Sequence, residues 1–176
     1  MKYLILLAFI LPIKLFAQND SLPKNEEGII EYKDIVTVES ATADQLYSRG
    51  KLFVAQNFKS GKEVTQMNDD AGKQIVGNGT LAVTFRALGS VHPGGFVSYR
   101  LTIQCKEGKY RFTIKEFTHD GVGNLNDGGP LEKEGVKNIF KKDWKGIKDQ
   151  TNTKILKLIS ALKNYMSGKS VATQGW

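Results

Sequence analysis

From residue 96 to residue 115 apolar and polar side chains alternate almost without error. Val97, Tyr99, Leu101, Ile103 and Cys105 take one set of places and Ser98, Arg100, Thr102, Gln104 and Lys106 the other; Tyr110, Phe112 and Ile114 then alternate with Arg111, Thr113 and Lys115. Neighbouring side chains on a strand point to opposite sides, so two such runs joined by Glu107-Gly108 predict a tight antiparallel hairpin. One face of it is apolar and the other polar and basic. Leu81, Val83 and Phe85 extend the apolar side within a strand expected over 74–86. Two more strands are expected, over 63–68 and over the β-branched run 29–38. Asp69-Asp70-Ala71-Gly72 and the segment Gly89 to Gly95 read as the intervening turns.

Helical spacing appears in three places. Thr42 followed by Gln45 is a capping-box signature, and Leu46, Tyr47, Gly50, Phe53, Val54 and Phe58 recur behind it at three- and four-residue intervals. That predicts an amphipathic helix over 42–58, stopping near Ser60-Gly61. Gly50 on its apolar face costs about 1 kcal/mol of helix propensity and implies close packing on a sheet. A second helix is expected over 152–166, with Ile155, Leu158, Ile159, Leu162, Tyr165 and Met166 as its stripe and Gly168 as its stop. Between them, residues 119–130 read as a loop. The lysine-rich stretch 135–149 carries Ile139, Phe140, Trp144 and Ile147 at roughly helical spacing, with Gly146 weakening any long helix there. The order is strand, helix, four strands, helix, an α+β arrangement in which both helices pack on the apolar face of one antiparallel sheet.

The first residues change the picture of where this domain works. Lys2, an apolar run from Leu4 to Ile13 and Ala17 before Gln18 have the three-part layout of a signal peptide. Pro12 and Lys14 interrupt the run before the 18 or so apolar residues a membrane span needs, so cleavage between Ala17 and Gln18 is expected over anchoring. No cysteine lies near that point to carry a lipid. The expected organisation is a signal peptide over 1–17, a flexible leader over 18–28, one domain over 29–167 and a frayed tail over 168–176. An exported protein, periplasmic, envelope-associated or secreted, follows. Cys105 is the only cysteine, so no intrachain disulfide can form and stability rests on packing. The formal charge of +7 is unevenly placed: residues 132–176 hold 10 basic and 4 acidic groups. Such a bias can mark an anionic surface, and a solvated lysine-rich face that keeps the protein in solution is the simpler reading.

Tyr47 in the first helix, Gly72-Lys73 with Ile75-Val76-Gly77, and the hairpin Lys106-Glu107-Gly108-Lys109-Tyr110-Arg111-Phe112 resemble a bacterial exported family of unknown function described as having a TATA-binding-protein-like fold. The resemblance spans about residues 30–166. The tryptophan that commonly follows the first-helix tyrosine by about seven residues is replaced here by the neighbourhood of Phe53 and Val54. It implies a TBP-like, helix-grip β-α-β(4)-α arrangement, and it implies no activity, because fold does not carry function. Nucleic acid is not an expected partner of an exported chain.

Reactive groups are few. His92 and His119 both fall in glycine-rich stretches expected to be turns, and two histidines with one strand cysteine offer no zinc site. Cys105 on the apolar face reads as a buried core thiol. The oxygen-rich run from His119 to Asp127 fails the EF-hand order, since Val122 falls on its third position. Gly77-Asn78-Gly79 opens no helix and reads as turn or bulge. No shielded acid–base pair or nucleophile is visible, so no catalytic, metal or cofactor residue is assigned and a hydrolase is the least favoured reading.

Two surfaces remain. One is the polar sheet face carrying Arg100, Thr102, Gln104, Lys106, Arg111, Thr113 and Lys115, able to grip an anionic or hydrogen-bonding ligand, against which stands ordinary solvation of an open sheet. The other is Phe140, Lys141, Lys142, Trp144 and Lys145, an interfacial stretch for an anionic membrane, against which stands an apolar lid packed on the domain. The expectation is a non-enzymatic envelope binding or interaction module whose partner is an envelope protein or small ligand. A peripheral membrane protein is the alternative.

Overall fold

The computed structural model describes residues 22–58, 67–123 and 127–168. The sheet grows from the alternating hairpin. β4 (Ser90–Lys106) and β5 (Lys109–Asp120) turn about Glu107-Gly108, with Lys106 opposite Lys109 and Gly108 at φ 68°. β3 (Gln74–Ala87) pairs with β4 on one side, and β1 (Tyr32–Thr37) pairs with β5 on the other. With the short β2 (Met67–Asp69) outside β3, the antiparallel order is β1-β5-β4-β3-β2, and β6 (Gly129–Pro130) joins the far half of β5.

α1 (Ala43–Asn57) begins as the residues dictate: Thr42 Oγ1 accepts from Gln45 N–H while the Gln45 side chain accepts from Thr42 N–H. Its face of Leu46, Tyr47, Gly50, Phe53 and Val54 is buried on the sheet. Gly50 is where the helix touches: a Cβ there would stand 2.6 Å from Ile75 Cδ1. α2 (Lys141–Met166) covers the rest of the same face with Trp144, Ile147, Ile155, Leu162 and Met166. The helices meet through Phe53 and Tyr165, edge to face at 5.9 Å, and through Arg49, which donates to Met166 O at 2.8 Å. Among the described residues no helix lies on the opposite face of the sheet.

Several boundaries differ from expectation, each for a local reason. The leader is not flexible from Leu22 onward: Leu22 is buried, Glu31 N–H donates to Pro23 O, and Asn25 Oδ1 accepts from Glu27 and Ile29 N–H. An asparagine-led turn ending at Gly28 (φ 78°) thus folds 22–25 back on 29–31, and one buried leucine leaves no period to detect. The first strand shrinks to Tyr32–Thr37 accordingly. The expected loop from Gly89 to Gly95 is a hairpin turned at Leu88-Gly89, with the extra residue of β4 absorbed as a bulge beside Pro93, where a strand tolerates proline. β5 continues through His119 to Asp120, so His119 is a buried strand residue, not a turn residue. Gly77 and Gly79 are not turn glycines; they sit mid-strand facing inward. The two expected C-terminal segments are one helix of 26 residues passing straight through Gly146, because the cost of one glycine, about 1 kcal/mol, is small against the apolar stripe around it. The proposed signal segment with its cleavage point, Ser60-Gly61, the start of the expected 63–68 strand and the tail after Gly168 lie outside the described residues.

Candidate functional site

The uncovered sheet face is built by register. Along β4 and β5 Gln104 stands opposite Arg111, Thr102 opposite Thr113 and Arg100 opposite Lys115; β1 adds Ile35 beside Arg111, and β3 adds Gln74 beside Gln104. All seven residues expected on this face are therefore on it, and their inward neighbours Val97, Tyr99, Leu101, Ile103, Cys105, Tyr110, Phe112 and Ile114 are buried.

The face divides electrostatically in two. At its middle a β-bulge in β5 places Glu116 at φ 62°, where its carboxylate lies 3.0 Å from Arg100 and 3.9 Å from Lys115. Those two cations are thus offset. At the hairpin end nothing comparable occurs: among the described residues no carboxylate pairs with Lys106, Lys109 or Arg111. Arg111 Nε and Nη2 donate to Gln104 Oε1, the former at 2.9 Å, and Gln104 Nε2 donates to Gln74 Oε1 at 2.6 Å. This relay orients the guanidinium and leaves Nη1 to face solvent. A depression of about 370 Å³ lies over it, lined by Ile35, Gln104, Lys106, Lys109 and Arg111 and floored by backbone at Cys105 and Tyr110, whose side chains point to the other side. Lys109, Ile35, Gln74 and Glu116 escaped the sequence reading. The phase break between Ile114 and Phe117, both inward, was the signal for the bulge and hence for Glu116.

The second expected surface comes apart. Trp144 is 1% exposed, its Nε1 donates to Lys133 O at 2.8 Å, and it meets His119 edge to face at 5.8 Å. It is a core residue and cannot enter a membrane. Phe140, the N-cap of α2, is 82% exposed instead. Lys141 and Lys142 are exposed in the first turn, and Lys145 pairs with Asp149 at 2.7 Å.

The candidate reactive groups are engaged in structure. His119 Nδ1 accepts from Gly128 N–H at 3.1 Å, so its proton sits on Nε2, which donates to Gly94 O at 2.7 Å. Burial pushes the Cys105 thiol up to about 11, away from the thiolate. Tyr47, 4% exposed, donates to Asp70 Oδ1 at 2.6 Å with Lys51 Nζ 4.6 Å above its ring; burial first and then Asp70 push its hydroxyl up to about 12. Lys73 pairs with Asp44 beside them. Tyr47 and Gly72-Lys73, distant in sequence, therefore meet as a lock between α1 and the β2–β3 turn. No described helix is long and apolar enough to cross a membrane, and no three potential metal ligands converge among the described residues.

Residues 32–120 match a family model described as a domain of unknown function (DUF4468) with TBP-like fold. Two crystal structures are similar in shape. One is of a DUF4468 family protein from Bacteroides ovatus, with TM-score 0.60 and 13% identity over 80% of this chain and 89% of that one. The other is of a TBP-like protein from Parabacteroides distasonis, with TM-score 0.58 and 12% identity over 81% of this chain and 97% of that one. Among curated proteins none matches.

Proposed function

Because the chain belongs to the DUF4468 family, whose TBP-like fold comes with no assigned function, its role has to be inferred from its own surface, and we propose that it is a non-enzymatic, exported binding module that engages an anionic partner through the hairpin end of its open sheet face. The observation that carries this is the pre-oriented Arg111 fork beside Lys106 and Lys109, with no carboxylate offsetting them among the described residues. A planar guanidinium held by a neighbouring amide loses little freedom on binding, and its remaining N–H groups suit a carboxylate or phosphate. Ile35, 61% exposed in the same depression, adds an apolar contact for the body of the partner. The depression is only half enclosed and lies on the sheet surface, so a carboxylate-bearing peptide segment of an envelope protein can reach it from solvent. The non-enzymatic reading is supported by His119 having both ring nitrogens engaged and by the raised Cys105 thiol. Export rests on the residue pattern of the first seventeen positions.

Titration of the labelled protein with a hexaglutamate peptide, followed by NMR, tests the site. Amide shifts should concentrate at Ile35, Gln104, Lys106, Lys109 and Arg111, and Arg111→Glu should weaken binding at least about tenfold, whereas Arg100→Glu should change it little. Shifts spread evenly over the surface, or an Arg111→Glu variant that binds as well as wild type, would sink the proposal.

A further inference from the structure

Two of the most exposed apolar side chains among the described residues belong to different elements. Leu88, 105% exposed, forms the tip of the β3–β4 hairpin, and Phe140, 82% exposed, precedes α2. Hydrogen bonds fix how these elements run past each other. Gln150 on α2 brackets Thr84 on β3, accepting from its N–H at 3.0 Å and donating to its carbonyl at 2.7 Å, and one turn later Lys154 donates to Ala82 O. Moving back along α2 therefore moves forward along β3. From that anchor Phe140 lies ten residues back on the helix, roughly 15 Å, and Leu88 four residues on along the strand, roughly 13 Å. Both reach about the same height at the same end of the molecule.

The backbone at Leu88 does not call for an apolar side chain. Leu88 adopts φ 50°, a left-handed turn position that a branched side chain disfavours and asparagine or glycine prefers, and it touches nothing that would repay the strain. Val91, 56% exposed, continues the apolar tip on the next strand. Arg86 stands two residues before Leu88, and Lys141 and Lys142 directly follow Phe140, none with an ion-pair partner among the described residues; Asp143 is the acidic residue of the same helix turn.

We propose that this end of the molecule docks on an anionic lipid surface, with Leu88 and Phe140 entering the interface and Arg86, Lys141 and Lys142 meeting the headgroups. Two apolar points on separate rigid elements, backed by a cationic rim, suit a plane of negative charge that admits shallow apolar insertion. A folded protein partner would instead need an apolar pocket shaped to each point. This surface is distinct from the hairpin end carrying Arg111, which lies at the opposite end of β4 and β5.

Environment-sensitive fluorophores on Leu88→Cys and Phe140→Cys variants of the full chain report insertion locally, whatever the rest of the chain does. Cys105, 4% exposed, does not compete for label. On vesicles of phosphatidylglycerol in phosphatidylcholine both positions should shift to apolar emission, while a label at Thr102→Cys on the sheet face should not respond. Adding Lys141→Glu and Lys142→Glu should weaken vesicle binding read at position 88 at least about tenfold. A response at only one tip, an equal response on neutral phosphatidylcholine vesicles, or a response at position 102 overturns the proposal. Leu88→Asn supplies the fold control: it should keep or raise the melting temperature while lowering vesicle affinity, and unchanged affinity would count against the tip.

Discussion

At position 79 the absence of a side chain is what lets two rings meet. A Cβ on Gly79 would stand 2.4 Å from the Tyr99 ring and 2.7 Å from Phe58 Cε1, and at Gly77 it would press Val54 at 3.2 Å. The strand thus buys its contact with α1 by giving up two side chains, and Phe58 and Tyr99 pack edge to face at 5.9 Å in the space. Gly79→Ala is expected to lose about 1–3 kcal/mol by overpacking, read in urea denaturation; a neutral result would mean that the rings move aside freely. Nothing in the sequence distinguished these glycines from turn glycines, because what they accommodate lies on another element. A second residue-scale test concerns Asp34. The hydrogen bond from Lys163, 2.6 Å away, holds its carboxyl below the usual range, with a smaller contribution from the charge itself. A depressed folded value means that the pair stabilises above the unfolded carboxylate range and that this contribution is lost as pH falls through the folded value. Both groups are nearly half exposed, so the pair contributes under about 1 kcal/mol. Asp34→Asn should lower the melting temperature slightly at pH 7, and the two proteins should converge as acid protonates the folded carboxyl. A gap that widened in acid would reverse the assignment.

At the scale of elements, the sheet has edges that invite pairing with other chains, and side chains guard the stretch of β3 beyond its pairing with β2 and part of β1. On β3 the amide of Gln150 stands in for a neighbouring strand at Thr84, and Lys154 takes Ala82 O. On β1 Asp34 Oδ1 accepts from the Ile35 N–H and its other oxygen holds Lys163 across from α2. Gln150→Ala should speed hydrogen exchange at the Thr84 amide and lower stability by about 1 kcal/mol; exchange as slow as in wild type would show that the helix backbone alone shields that edge. The uninterrupted α2 was not legible for a related reason. Local propensity at Gly146 argued for a break, whereas Trp144 and Ile147, buried on either side of it, carry the helix through, and that burial is tertiary information. The hairpin of β4 and β5 was legible because alternation and a two-residue turn are local, and local signals survive in a lone sequence.

For the molecule as a whole, the same division explains what reading the residues reached. One-sided alternation and two amphipathic stripes are enough to place helices on one face of an antiparallel sheet, and that arrangement stands. The seven polar positions of Arg100 to Lys115 fell on one face for the same reason. Their unequal charge did not emerge, because Glu116 reaches Arg100 only through a bulge that shifts the register by one. Of the two readings of Trp144, interfacial anchor and packed lid, the lid holds, and its ceiling, His119 and Gly128, is assembled from the far end of β5 and the approach to β6.

The strand order also sets a timetable. β3, β4 and β5 follow one another along the chain and can pair as each is made, but among the described residues β1 pairs only with β5, whose first residue, Lys109, lies roughly seventy residues downstream of Thr37. A ribosome delivers Tyr32–Thr37 early and then leaves it waiting, while its destined neighbour is still unmade. During that interval Ile35 and Val36 belong to an unpaired strand, and the charges of Lys33 and Asp34 beside them keep the waiting segment in water until β5 arrives and that seam can close.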